Sequence, residues 1–303
     1  GREGCGISHT HLLQTHPNLF SDTSVYVAEA HLEFMAELIR AIERVVALPA
    51  WHARVLAHAP ETARFRPRAA GVFLGYDFHL GADGPKLIEI NTNAGGGLLN
   101  AKLLRAQQAC CVQAERPMTD QVRVEADFVA MFRSEWTLTY GDVPLKRIAI
   151  VDEAPENQFL AAEFELFRQL FEANGIAALV LAPEVLSFNG KNLVHDGQVV
   201  DLVYNRLTDF ALEDPRHAAL RAAYLADAAV ITPHPHAHAL YADKRNLNIL
   251  TDDAWLQAAG VGEADRRLLR VGVPRTEEVL PENASSYWTG RKQWFFKPAA
   301  GYG

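Results

Sequence analysis

The sequence is poor in cysteine, in long apolar runs and in positive charge, and each shortage excludes a class of protein. Three cysteines, Cys5 and the adjacent Cys110 and Cys111, form neither a secreted disulfide framework nor a CxxC metal knuckle, so reduced thiols are expected. The longest apolar stretches, AALVLA at 177–182 and AAVIT at 228–232, are far shorter than the roughly 20 residues a bilayer demands. The N-terminus carries no signal-peptide pattern, and a cytoplasmic location is expected. Lys and Arg number 29 against 37 Asp and Glu, a formal charge of −8, so neither nucleic acid nor an anionic membrane is a natural partner. What is present is a chain of 303 residues, 49% apolar and 22% charged, enough for one large or two ordinary domains. A homo-oligomer is compatible with this composition.

Apolar positions Val27, Ala30, Phe34, Leu38, Ile42, Val45 and Val46 recur at helical spacing, which predicts a helix over 23–47 ended by Pro49. An Arg-rich connection then leads to two runs, 71–80 and 86–91, separated by GADGP, a hairpin signature. Helical patterns follow at 98–112 and 121–136. From Lys146 the register changes to strand KRIAIV, a long amphipathic helix over 155–173 with Phe159, Phe164, Phe167, Leu170 and Phe171 inward, and strand IAALVLA. Asn174-Gly175 is a C-cap signal. With VVDLVYNR at 199–206, a helix at 215–227 and strand AAVITP, the pattern is an open α/β domain with a parallel sheet, lacking a GxGxxG turn. The expected divisions are 1–145, a helical region plus hairpin; 146–233, the α/β domain; and 234–303, a third region.

The hairpin carries the most chemistry. With its turn centred on Asp83, paired residues sum to 166, so Asp77 faces Glu89 and Gly75 faces Asn91. One face then holds Leu74, Tyr76 and Phe78 against Ile88 and Ile90, and the other collects Asp77, His79, Glu89 and Asn91. A one-residue shift of the turn would separate the carboxylates. Opposed carboxylates repel, so something positive belongs between them, and oxygen donors of this kind suit Mg²⁺ or Mn²⁺. Asn93-Ala94-Gly95-Gly96-Gly97 next offers backbone N–H groups at a helix mouth, an anion-binding arrangement.

Two lysines stand apart. Gln293-Trp-Phe-Phe-Lys297 reads as an apolar strand delivering a lysine to the glycine loop of KPAAGYG, and Lys244 lies at the start of the helical DKRNLNIL. The order D-x₁₁-E-x-N, α/β segment, helix-borne lysine and K-P-x-x-G-x-G resembles the ATP-grasp superfamily in its circularly permuted form, the glutathione synthetase and glutathionylspermidine synthetase type. LIEIN and FFKP are its most specific pieces.

The resemblance implies an α/β (α+β), ATP-grasp-like, circularly permuted fold with a central open α/β domain. It implies an ATP-dependent carboxylate–amine ligase working through an acyl phosphate on a small carboxylate or peptide and an amine acceptor. Asp77, Glu89 and Asn91 would hold Mg²⁺ or Mn²⁺, Lys244 and Lys297 would contact ATP, and Gly301 to Gly303 would begin a lid over its phosphates, with the chain expected to continue beyond Gly303. Gly75 stands where the polyamine ligases carry a catalytic arginine, so that chemistry is not transferred. Arg206 is the substitute for stabilising an anion, against the alternative of an ordinary surface arginine.

Two other readings compete. ITPHPHAHAL places His234, His236 and His238 at alternate positions, and SHTH supplies His9 and His11, a pattern compatible with a histidine-metal hydrolase or with a proline-rich surface turn. A non-catalytic ATP-grasp-like binding module is the third.

Overall fold

The computed structural model describes residues 20, 23, 25–110 and 121–299. In chain order its helices and strands are α1 (Glu29–Val46), α2 (Pro49–Leu56), α3 (Glu61–Arg64), β1 (Gly75–Gly81), β2 (Gly84–Asn91), α4 (Gly97–Cys110), α5 (Gln121–Tyr140), β3 (Arg147–Val151), α6 (Ala161–Ala173), β4 (Ala177–Leu181), β5 (Ser187–Phe188), β6 (Leu193–His195), β7 (Gln198–Val199), β8 (Leu202–Asn205), α7 (Ala218–Leu225), β9 (Val230–Thr232), α8 (Pro235–Tyr241), α9 (Arg245–Leu250), α10 (Asp253–Ala258), α11 (Glu263–Gly272) and α12 (Ala284–Thr289). Among the described residues, no helix is long and apolar enough to cross a membrane. Pro49 does not simply end α1. It opens α2 at the first helical position, where its missing N–H costs nothing and its fixed φ suits the turn.

The chain forms two compact units, each assembled from separated stretches. Among the described residues, the first comprises Phe65–Phe73 and the stretch from Asn93 to His234. Its centre is a four-stranded sheet in the order β4-β3-β8-β9, all neighbours parallel. Strand β3 is a continuous apolar run because both of its faces are covered. Ile148 and Ile150 enter one core with α5 and α6, while Ala149 and Val151 enter another with α7. On the first face Phe132, Phe167, Phe171 and Tyr204 meet edge-to-face at ring separations of 4.8 to 6.0 Å, geometry that adds to simple area burial. Helix α6 ends as its sequence signals: Gly175 adopts φ +76°, and Ile176 N–H returns to the Phe171 carbonyl at 3.0 Å. Its beginning is shorter than expected. A 3₁₀ turn at Pro155–Asn157 precedes it, and Phe159, expected inward, is 56% exposed in the connection.

The second unit comprises Tyr26–Arg64, Leu74–Thr92 and the chain from Pro235 onward. Leu38, Ile42, Val45 and Val46 form the buried stripe of α1 and pack in one core with Leu87 and Ile90 of β2 and leucines of α8 to α11. Trp51 is buried there and donates its indole N–H to the Leu240 carbonyl at 3.1 Å.

The hairpin β1–β2 corrects one expectation in an instructive way. Its turn is the two-residue Ala82-Asp83 between paired Gly81 and Gly84, so pairs near the tip sum to one less than expected. A β-bulge then leaves Ile88 unpaired, and beyond it Asp77 pairs with Glu89, Tyr76 with Ile90 and Gly75 with Asn91. The carboxylates therefore face one another although the turn is displaced. The price falls on Ile88, which is 38% exposed, while Leu87 takes the core position expected of it.

Candidate functional site

In the second unit the hairpin, the start of α9 and the C-terminal stretch bring one group of charges together. Glu89 Oε2 lies 2.8 Å from Lys297 Nζ, and Glu89 Oε1 lies 3.3 Å from Lys244 Nζ. Lys297 Nζ also reaches the carbonyl of the bulged Ile88, at 3.4 Å. Asn91 Nδ2 donates to Asp77 Oδ2 at 3.1 Å. The five residues Asp77, Glu89, Asn91, Lys244 and Lys297 thus gather on one face of the unit.

Local chemistry explains each position. In Asp243-Lys244-Arg245, Asp243 accepts the Arg245 N–H at 2.9 Å and pairs with the exposed Arg245 guanidinium, while the Lys244 side chain is 10% exposed and turns to Glu89. The Lys244 N–H donates to Ala299 O at 3.2 Å, tying the start of α9 to the residues after Lys297. The QWFFK segment is not a strand. It leaves a 3₁₀ turn at Arg291–Gln293 as irregular chain, with Phe295 86% exposed, so Lys297 is placed by its ion pair and not by a sheet.

The two carboxyls are pushed apart electrostatically. Burial and the nearby charge of Glu89 raise Asp77, partly offset by Lys297 and Asn91. Burial would raise Glu89 as well, but the hydrogen bond from Lys297 and the charge of Lys244 outweigh it and hold Glu89 below the ordinary carboxylate range.

A residue that no sequence motif singles out supports both arms. Glu43 of α1 accepts the Tyr76 hydroxyl with one oxygen and the Tyr241 hydroxyl, at 2.7 Å, with the other. Tyr76 adjoins Asp77, and Tyr241 closes α8 just before Lys244. Burial and the Glu43 charge raise both tyrosines, so they stay protonated donors. Nearby, Thr92 Oγ1 and His238 Nδ1 lie 3.1 Å apart, and burial pushes His238 down to about 4.

The first unit treats its polar groups differently. At the Gly95-Gly96-Gly97 loop, two N–H groups are taken by the chain itself. Glu163, 1% exposed, accepts Gly96 N–H at 2.6 Å and Leu98 N–H at 2.9 Å, capping α4 with the chain's own carboxylate. Arg206 is not a surface residue. It follows β8 and is 7% exposed, its Nη1 donates to the carbonyls of Asn93 and Ala94, both at 2.6 Å, and its guanidinium lies 5.5 Å from the Tyr204 ring centre. Gly95 is closely approached: a Cβ there would stand 2.3 Å from Leu160 Cδ1 and 2.8 Å from Arg206 Nη2, so both side chains would have to shift to admit one.

The histidines form no proline-rich surface turn. His234 is 2% exposed with Nε2 at 3.1 Å from Ala69 O, and His236 is 6% exposed with Nδ1 at 2.7 Å from Ala63 O. A carbonyl only accepts, so each of these nitrogens carries its proton and offers no lone pair to a metal. Among the described residues no group of three His, Cys, Asp or Glu is placed to hold a metal ion. Asp77, Glu89 and Asn91 contribute two carboxylates and an amide oxygen, donors whose hardness fits Mg²⁺ or Mn²⁺ completed by water and phosphate. Gly301, Gly303, Cys5, Cys111, His9 and His11 lie outside the described residues.

No family model matches the chain, and no curated protein does. Among solved structures, it is similar to a glutathione synthetase-like effector from Globodera pallida in apo form, with a TM-score of 0.56 and 15% identity. The match covers 82% of this chain and 61% of that one, so the chain spans less than two thirds of its structural neighbour's length. The fold is mixed α/β, with a four-stranded parallel sheet and two small antiparallel sheets. The likeness to a glutathione synthetase-like protein is one of fold.

Proposed function

We propose that the chain serves an ATP-dependent carboxylate–amine ligase, in which ATP phosphorylates a small carboxylate or peptide and an amine displaces the phosphate. The observation that carries this reading is the convergence of Lys244 and Lys297 on Glu89, opposite Asp77 and beside Asn91. Asp77, Glu89 and Asn91 would hold Mg²⁺ or Mn²⁺, which when bound would offset charge on the nucleotide phosphates. Lys244 and Lys297 would bind those phosphates by charge-assisted hydrogen bonds, and Gly301 to Gly303 would begin the covering loop. Arg206, expected from the sequence to stabilise an anion, has its Nη1 held by the carbonyls of Asn93 and Ala94 and takes no part in this reading. No side-chain nucleophile is required.

The test is phosphate release by the full chain with Mg·ATP against amino acids, amines and small carboxylic acids. Release that needs both a carboxylate and an amine, lost in Asp77→Asn and Lys297→Met, is the expected result. Nucleotide binding with no turnover under any pair would give the binding-module reading instead. Failure of the wild-type chain to bind Mg·ATP, or unchanged affinity in both variants, would overturn the proposal.

A further inference from the structure

Glu89, assigned above as a cation ligand, here spends both carboxylate oxygens on the two lysines assigned to phosphate. Its side chain is 20% exposed, and those of Lys244 and Lys297 are 10% and 23% exposed. These charges are partly withdrawn from water, where an uncompensated partner is costly. With Asp77 opposite, the group of two carboxylates and two ammoniums is electrically neutral. A polyphosphate approaching it meets lysines already satisfied and carboxylates that repel it. A cation approaching it meets a Glu89 already claimed by two ammoniums.

We infer that Glu89 is a resident counter-anion standing in for polyphosphate, so that cation and polyphosphate bind cooperatively, each releasing the protein partner the other needs. When a divalent cation takes Glu89, Lys244 and Lys297 are freed and the face becomes positive. When a polyphosphate takes the lysines, Glu89 is freed for the cation. Linkage makes the effect reciprocal. The inference rests on the reading that this face receives a metal–nucleotide pair, yet its contacts are those of the chain alone.

Two arms test it without turnover. In the first, Glu89→Gln binds inorganic tripolyphosphate in the presence of a chelator, followed by titration calorimetry. The expected result is affinity about fivefold or more tighter than wild type, the size of one partly buried ion pair. In the second, the double variant Lys244→Met/Lys297→Met binds Mn²⁺ alone, followed by electron paramagnetic resonance, with a gain of similar size. No gain in either arm, with both variants folded by circular dichroism, overturns the inference. A wild-type chain that binds Mg·ATP while the variants gain nothing leaves the ligase reading standing and removes the counter-anion. Variants that gain affinity in a chain whose wild type never binds Mg·ATP do the reverse.

Discussion

The two units use buried charge for opposite ends. In the first, Glu163, Glu135 and Arg206 are directed at the backbone: Glu163 takes the N–H groups of 96 and 98, Glu135 takes those of 70 and 71, and Arg206 takes the carbonyls of 93 and 94. A peptide group cannot leave, so these bonds are permanent and fix loop shape. In the second unit, Glu89, Lys244 and Lys297 are directed at one another on a partly exposed face. Ion pairs of that kind can be exchanged for those of a ligand, because an arriving cation and anion give each charge a new partner. The difference separates charges that build a fold from charges that wait for a partner.

Substitutions can break this contrast. The largest effect is expected at the aromatic centre of the first unit. Phe167→Ala removes a fully buried ring that meets Phe128, Phe132 and Tyr204, and should cost about 3–5 kcal/mol in urea unfolding. Glu163→Ala should follow at about 2–4 kcal/mol, since it strands one buried and one half-buried N–H group, whereas Glu89→Gln in the second unit should cost less, about 1 kcal/mol, because the amide keeps an oxygen acceptor and both lysines retain some access to water. Equal losses for Glu163→Ala and Glu89→Gln would erase the distinction between the units.

The smallest effect is in pH dependence, where the units carry opposite signs. Burial pushes Asp152 of the first unit up to about 6. The folded chain therefore keeps that proton after the unfolded chain has lost it near pH 4, and this contribution to stability falls as pH rises from about 4 to 6. His238 of the second unit, held down at about 4, is neutral in the fold where the unfolded imidazole is charged, so its contribution rises between about pH 4 and 6.5. In urea titrations across this range Asp152→Asn should lose the falling component and His238→Gln the rising one, each on the order of 1 kcal/mol. Identical pH profiles for the two variants would contradict the assignment.

Much of the architecture was legible because it rests on local patterns. The α1 stripe, the run IAIV, the cap Asn174-Gly175 and the hairpin signature each follow from periodicity or turn chemistry acting over a few residues. The opposition of Asp77 and Glu89 was legible too, but only through two departures that cancel: the turn lies one position off, and the bulge at Ile88 restores the register. A bulge has no reliable sequence signal, since any residue can be the extra one. Phe159 and the QWFFK segment departed from expectation for a related reason. Apolar character shows that a side chain can be buried, not that a neighbour is available to bury it.

By itself, then, the sequence determined the class of fold and the chemistry on offer: a parallel α/β sheet, a hairpin with D-x₁₁-E-x-N, and two lysines of special setting. Only the tertiary structure decided how that chemistry is distributed. It brought Lys244 and Lys297 onto Glu89, tied Tyr76 and Tyr241 to Glu43, and gave Glu163 the N–H groups of Gly96 and Leu98. These pairings join residues distant in the chain, and nothing local distinguishes a charge that will meet another charge from one that will meet the backbone. That choice depends on which groups remain unsatisfied once the apolar cores have closed.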